Sequence, residues 1–187
     1  MLSTPAVAGV TADPLARLRM VSSVMVIAVI AGMIALVTLI VVVFLIPAVA
    51  PAAIVPKVMP FGLTEITPRA RLLGFLVLCV PIGLYLYGLN EVRRLFRQYS
   101  AGEVLTLGAA SRLKRIAWAA IAGAIMRPPT MRGLFFALSI DQPDAELRLP
   151  IVTTADLTFL LFGFLLLAIG WAMSEAVRIA EEHRQFV

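Results

Sequence analysis

The chain has 187 residues, 61% of them hydrophobic and 14% charged, with a net charge of +5. That length allows one domain, and a soluble domain of that size has too high a surface-to-volume ratio to bury so much apolar surface, so composition speaks against a soluble fold and for a lipid-embedded one. A lone cysteine, Cys79, excludes a disulfide framework or a cysteine-based metal site within one chain.

Met1 to Pro14 is small and polar and reads as a loose tail, with Asp13 as a helix cap and Pro14 in the first turn. Val21 to Ile46 holds no charged residue, and a first span is expected over about 16–46. Ala48-Val49-Ala50 has the look of a signal-peptide cleavage site, but the apolar block before it is too long for a signal core, so a retained anchor is expected. Pro47, Pro51, Pro56 and Pro60 punctuate the next loop and stop any helix there. Apart from Lys57 the loop is filled by apolar residues, Ala52, Ala53, Ile54, Val55, Val58, Met59 and Phe61, which places it on the membrane interface or against a partner.

Leu72 to Leu89 is again uncharged and predicts a second span over about 70–97. Pro81, with Gly83 and Gly88 nearby, predicts a kink, and Cys79 is expected to be an inert thiol buried in apolar surroundings. Beyond the block, Val92, Leu95, Phe96 and Tyr99 recur at helical spacing with Arg93, Arg94 and Arg97 on the other side. Ser100-Ala101-Gly102 should end this extension, and Thr106 to Gly108 should turn into the next helix. Ile116 to Met126 is too short to cross alone. It reaches the required length over about 109–127 if Arg112, Lys114, Arg115 and Arg127 snorkel to the headgroups. The other reading is a re-entrant helix, which would put the termini on opposite sides. Arg127-Pro128-Pro129 is expected to end this helix, leaving Gly133 to Ile140 as a separate interfacial stretch. Asp141 to Pro150 reads as a polar loop, and Thr153 to Asp156 as caps for a fourth span over about 154–180 that runs out through Glu175 to Arg184. Trp118 and Trp171 suit the membrane interface.

Lysine and arginine set the orientation. The two tails and the central loop carry ten of them, against six in the other two loops. The fold class expected is therefore all-α: a polytopic four-helix transmembrane bundle with both termini cytoplasmic. The basic charge then belongs to topology and to anionic lipid headgroups, and direct nucleic-acid binding is not expected.

The apolar blocks hold no ionisable residue, which speaks against a proton-coupled transporter acting alone. Asp156 and Glu175 read as helix-end residues. The one histidine, His183, lies in the tail beside Glu181 and Glu182, so neither a haem ligand pair nor a metal site is expected. Ser22 and Ser23 have no base within reach in lipid, and no enzyme activity or cofactor is predicted. Ala28 with Gly32, Ala119 with Gly123, and Gly170 with Ser174 pair small residues four apart, a spacing that lets helices approach closely and is common in membrane bundles. The candidate contact residues for a partner or lipid are Arg93, Arg94, Phe96, Arg97, Arg112, Lys114 and Arg115.

The basic central loop with Gly102-Glu103-Val104-Leu105-Thr106, and the ending Ile179-Ala180-Glu181-Glu182-His183-Arg184-Gln185-Phe186-Val187, resemble the bacterial membrane proteins known as domain of unknown function 2975. The resemblance implies an inner-membrane location and a link to small helix-turn-helix regulators. It transfers no catalytic residues. The function expected is a non-enzymatic regulatory or accessory protein that binds a partner through the basic loop and the C-terminal tail. The alternative is a small structural subunit of a membrane complex, and the third reading is an oligomeric pore, with a homo-oligomer then implied.

Overall fold

The computed structural model describes residues 14–46, 66–141 and 152–185. They form four helices: α1 (Pro14–Leu45), α2 (Pro68–Ser100), α3 (Leu107–Leu138) and α4 (Thr154–Gln185). Three contain stretches long and apolar enough to cross a bilayer, at Arg19–Leu45, Pro68–Ser100 and Thr154–His183. At about 1.5 Å per residue, each helix outreaches a hydrocarbon layer of about 30 Å. The chain is an all-α membrane protein.

The helix starts are set by side-chain caps. Thr67 Oγ1 accepts from the Ala70 amide at 3.2 Å with Pro68 in the first turn, and Thr106 Oγ1 accepts from the Ala109 amide at 3.1 Å. Thr153 and Asp156 form a capping box ahead of α4: the Thr153 amide donates to Asp156 Oδ2 at 2.8 Å, and the Asp156 amide donates to Thr153 Oγ1 at 3.4 Å. α2 ends where the sequence predicts, and Gly102 turns the chain with φ of 88°, a conformation open to glycine without strain. The helix α1 begins at Pro14 as expected, while its predicted cap Asp13 and the proline-rich loop lie outside the described residues.

α3 corrects the sequence reading. It does not end at Pro128-Pro129 but continues through both prolines to Leu138. Gly133 to Leu138, expected as a separate interfacial stretch, is therefore its last turns. Two prolines remove two helical hydrogen bonds, a loss that packing on both neighbouring helices offsets. The neighbours on either side also hold the helix: Thr130, Leu134, Phe135, Ala137 and Leu138, all beyond the prolines, are buried.

The helices run antiparallel in chain order, and their backbones come close only between sequence neighbours: α1 and α2, α2 and α3, α3 and α4. The expected bundle is thus an open row, with α1 and α4 at its edges. Lipid covers an outer apolar face as well as another helix would, so nothing forces closure. Small residues bring the central helices together. A Cβ placed on Gly88 would lie 3.3 Å from that of Ala119, and one on Gly123 would lie 3.3 Å from the Tyr85 ring. Across α3 and α4, Ala110 and Ala117 are fully buried, and Gly163 and Gly170 meet Ile121 and Lys114. Gly32, by contrast, faces open space. Cys79 also departs from expectation: it lies exposed on α2, because the buried face of this helix runs through Gly74, Pro81, Glu91 and Leu95. At the end of α3, Val43, Phe44, Ile66, Ala70, Leu134, Phe135 and Leu138 form one apolar cluster that ties α1, α2 and α3 together.

The α4 helix is offset along the row. Gly170 sits against Ala110 and Lys114, near the start of α3, yet α4 continues to Gln185. Its last turns therefore run beyond the start of α3 and alongside the α2–α3 turn, where Leu105 meets Val177 and Ala180.

Candidate functional site

The α2–α3 hairpin carries the candidate residues, and its organising group is one that the sequence did not single out. Glu91 lies two residues after the apolar block of α2 and is only 2% exposed. Its position is dictated by spacing: Gly88, Glu91 and Leu95 share the helix face that meets α3. A carboxylate there must be compensated, since burying an unpaired charge is costly. Three arginines converge on it. Arg94 Nη1 donates to Oε1 at 3.3 Å, Arg112 Nη1 donates to Oε2 at 3.3 Å from the facing helix, and Arg115 Nη1 lies 3.9 Å from Oε2. Arg112 also donates from Nε to Gln98 Oε1 at 3.0 Å, so its planar group is fixed at two points.

The other predicted residues divide around this centre. Arg97 is exposed and, with Arg94, Gln98, Glu103 and Arg112, lines a groove of about 310 Å³. Arg93 is half-buried and has no ion pair among the described residues. Phe96 meets Tyr99 edge to face, with ring centroids 6.0 Å apart. Lys114 is placed differently from the rest, because its stem packs on Gly170 of α4. Over residues 91–115 the six cations outnumber the two carboxylates, so the Glu91 pairing leaves the hairpin strongly positive.

The C-terminal end of α4 joins this surface. Val177 is buried, and with Leu105, Ala176, Ala180 and Glu181 it lines a cleft of about 210 Å³. Arg178 pairs with Glu175 at 2.6 Å and Glu182 at 3.6 Å, exposed pairs along one helix face. His183 is exposed there, and among the described residues no three His, Cys, Asp or Glu side chains come together as metal ligands.

The second buried ion pair joins Arg127 of α3 to Asp156 of α4 at 2.5 Å, with the Arg127 guanidinium also donating to Thr153 Oγ1 at 2.9 Å. Asp156 is a first-turn residue as expected, but it is buried rather than solvated. Arg127 is the partner that the helix-end reading left out.

A family described as a protein of unknown function, DUF2975, matches residues 63–185. The chain belongs to the DUF2975 family. The matched stretch contains α2, the basic hairpin, α3 and α4, so both buried ion clusters fall in the DUF2975 part of the chain, and α1 lies outside it. No curated protein and no solved structure matches the chain.

Proposed function

We propose that this DUF2975 protein is a non-enzymatic regulatory or accessory membrane protein whose basic hairpin, together with the C-terminal end of α4, docks an acidic surface of a cytoplasmic protein partner. In this reading α3 crosses the bilayer with the other three helices, and both termini face the cytoplasm of a bacterial inner membrane. The distribution of lysine and arginine supports that orientation, as does the tight packing of α3 between two apolar helices. A small helix-turn-helix regulator is the kind of partner that the family resemblance suggests.

One observation carries the proposal. The guanidinium groups of Arg94, Arg112 and Arg115 are held by a buried carboxylate and form a pre-ordered cationic platform, and Arg97 lines the same groove as Arg94 and Arg112. Ordering side chains in advance lowers the entropy lost on binding, and charge complementarity speeds encounter and sets specificity. A surface meant only to rest on lipid headgroups has no need of such fixed geometry.

Arg93 and Arg97 have no pairing with Glu91, so Arg93→Gln with Arg97→Gln removes two surface charges without orphaning the carboxylate. Pull-down from native membranes in mild detergent should recover a partner with the wild type and several-fold less of it with the double variant, at unchanged membrane insertion. Equal recovery would count against the docking surface. Recovery within a large complex of membrane subunits, insensitive to these substitutions, would favour the structural-subunit reading.

A further inference from the structure

At the end of the molecule opposite the hairpin, the last turns of α1 and the first turns of α2 enclose a groove of about 400 Å³. Val41, Phe44 and Leu45 form one wall, and Leu72 and Phe75 form the other. Phe44 and Phe75 meet edge to face at 5.8 Å and close its floor. Among the described residues the one charged lining group is Arg71.

Arg71 sits at a chemical boundary. Leu72 begins the uncharged block of α2, so the guanidinium lies where a headgroup layer meets hydrocarbon. Its Nε is buried and has no hydrogen-bond partner among the described residues. A buried donor without an acceptor is costly and rare, so an acceptor belongs at this position. No described lining residue is a carboxylate, so nothing in the groove pairs with an amine or choline group.

A cationic mouth above an apolar slot fits an amphipathic anion, and within a bilayer that chemistry belongs to lipids. We propose that this groove binds one anionic phospholipid, with its phosphate accepting from Arg71 and one acyl chain between α1 and α2. Guanidinium and phosphate suit each other because the planar fork donates two parallel hydrogen bonds. The site lies in the leaflet opposite the basic hairpin and stands independently of the docking proposal.

The test is native mass spectrometry of the full chain reconstituted with equal amounts of phosphatidylglycerol and phosphatidylcholine. The wild type should retain one phosphatidylglycerol in preference to phosphatidylcholine. Arg71→Gln should lower that retention about tenfold, the loss expected for a charge-assisted hydrogen bond of ordinary strength. Val41→Trp, which fills the slot and keeps Arg71, should lower it comparably. Equal retention of both lipids, or undiminished retention by either groove variant, would overturn the proposal. If Arg71→Gln fails to elute as a folded species, Val41→Trp and the lipid preference decide.

Discussion

Glu91 shows how much a single residue decides here. It is nearly inaccessible, yet its compensating arginines range from 25% exposed at Arg112 to 51% and 56% at Arg94 and Arg115. Replacing the carboxylate leaves three cations facing one another, whereas replacing Arg94 or Arg115 leaves Glu91 with two partners. Glu91→Ala should therefore cost about 2–4 kcal/mol, toward the range for breaking a buried ion pair, Arg112→Ala somewhat less, and Arg94→Ala or Arg115→Ala about 1 kcal/mol. Arg178→Ala, in a pair exposed on both sides, should cost under about 0.5 kcal/mol. Thermal unfolding in detergent orders these variants, and an Arg178 effect as large as that of Glu91 would refute the ranking. The arginines of this site were legible in the sequence because their spacing and density mark a basic face. Glu91 was not, because a lone acid at the end of an apolar block reads as a helix flank. Its place in line with Gly88 and Leu95 was the available signal, and it identifies a buried face only once a packing partner for that face is known.

At the scale of the element, α3 is the helix whose sequence and environment disagree most. Its charges and paired prolines keep it from being apolar enough to count as a span by composition. The structure makes it the most enclosed helix of the four, held by small residues on both sides. Apolar blocks and caps identified α1, α2 and α4 directly, since each follows from local residues. The length of α3 did not, because its passage through Pro128 and Pro129 depends on neighbours that local pattern does not name. The same holds for Gly163. It belongs to no small-residue pair four apart, yet an added Cβ would come within 2.6 Å of Ile121 Cγ1 and 3.2 Å of the Ile121 backbone nitrogen. Gly163→Ala should push α4 away from α3 and destabilise by about 1–3 kcal/mol, the usual cost of overpacking, despite alanine's better helix propensity. Gly170→Ala should cost less, since its closest neighbour is the flexible Lys114 stem at 2.8 Å. Gly32→Ala, in open space, should be neutral or stabilising by up to about 1 kcal/mol. Unfolding midpoints that place Gly32→Ala at or below Gly163→Ala would show that this interface is not closely packed.

At the scale of the whole molecule, the open row sets which contacts are available to a second chain. In a closed ring α1 and α4 would meet, and the small residues of α1 would be covered. Here Ala28, Gly32 and Ala35 remain on an outer face, as do Phe162 and Leu165 of α4. Cysteine pairs distinguish the two arrangements in a Cys79→Ser background. Gly88→Cys with Ala119→Cys should form an intrachain disulfide in membranes, because their Cβ atoms approach to the separation that such a bond needs. Ile34→Cys with Phe162→Cys should form none within a chain, because no backbone contact joins α1 to α4. Electrophoresis without reductant separates the outcomes, since an intrachain bond alters the mobility of the monomer and an interchain bond yields a dimer. An intrachain Ile34–Phe162 link would mean that the row closes in the bilayer. A dimer band from that pair alone would mean that the edges stay open and that another copy of the chain comes alongside them. The Glu91 centre of the proposed docking surface is the same under either result, because Glu91 and its arginines lie between α2 and α3, which pack together in both arrangements.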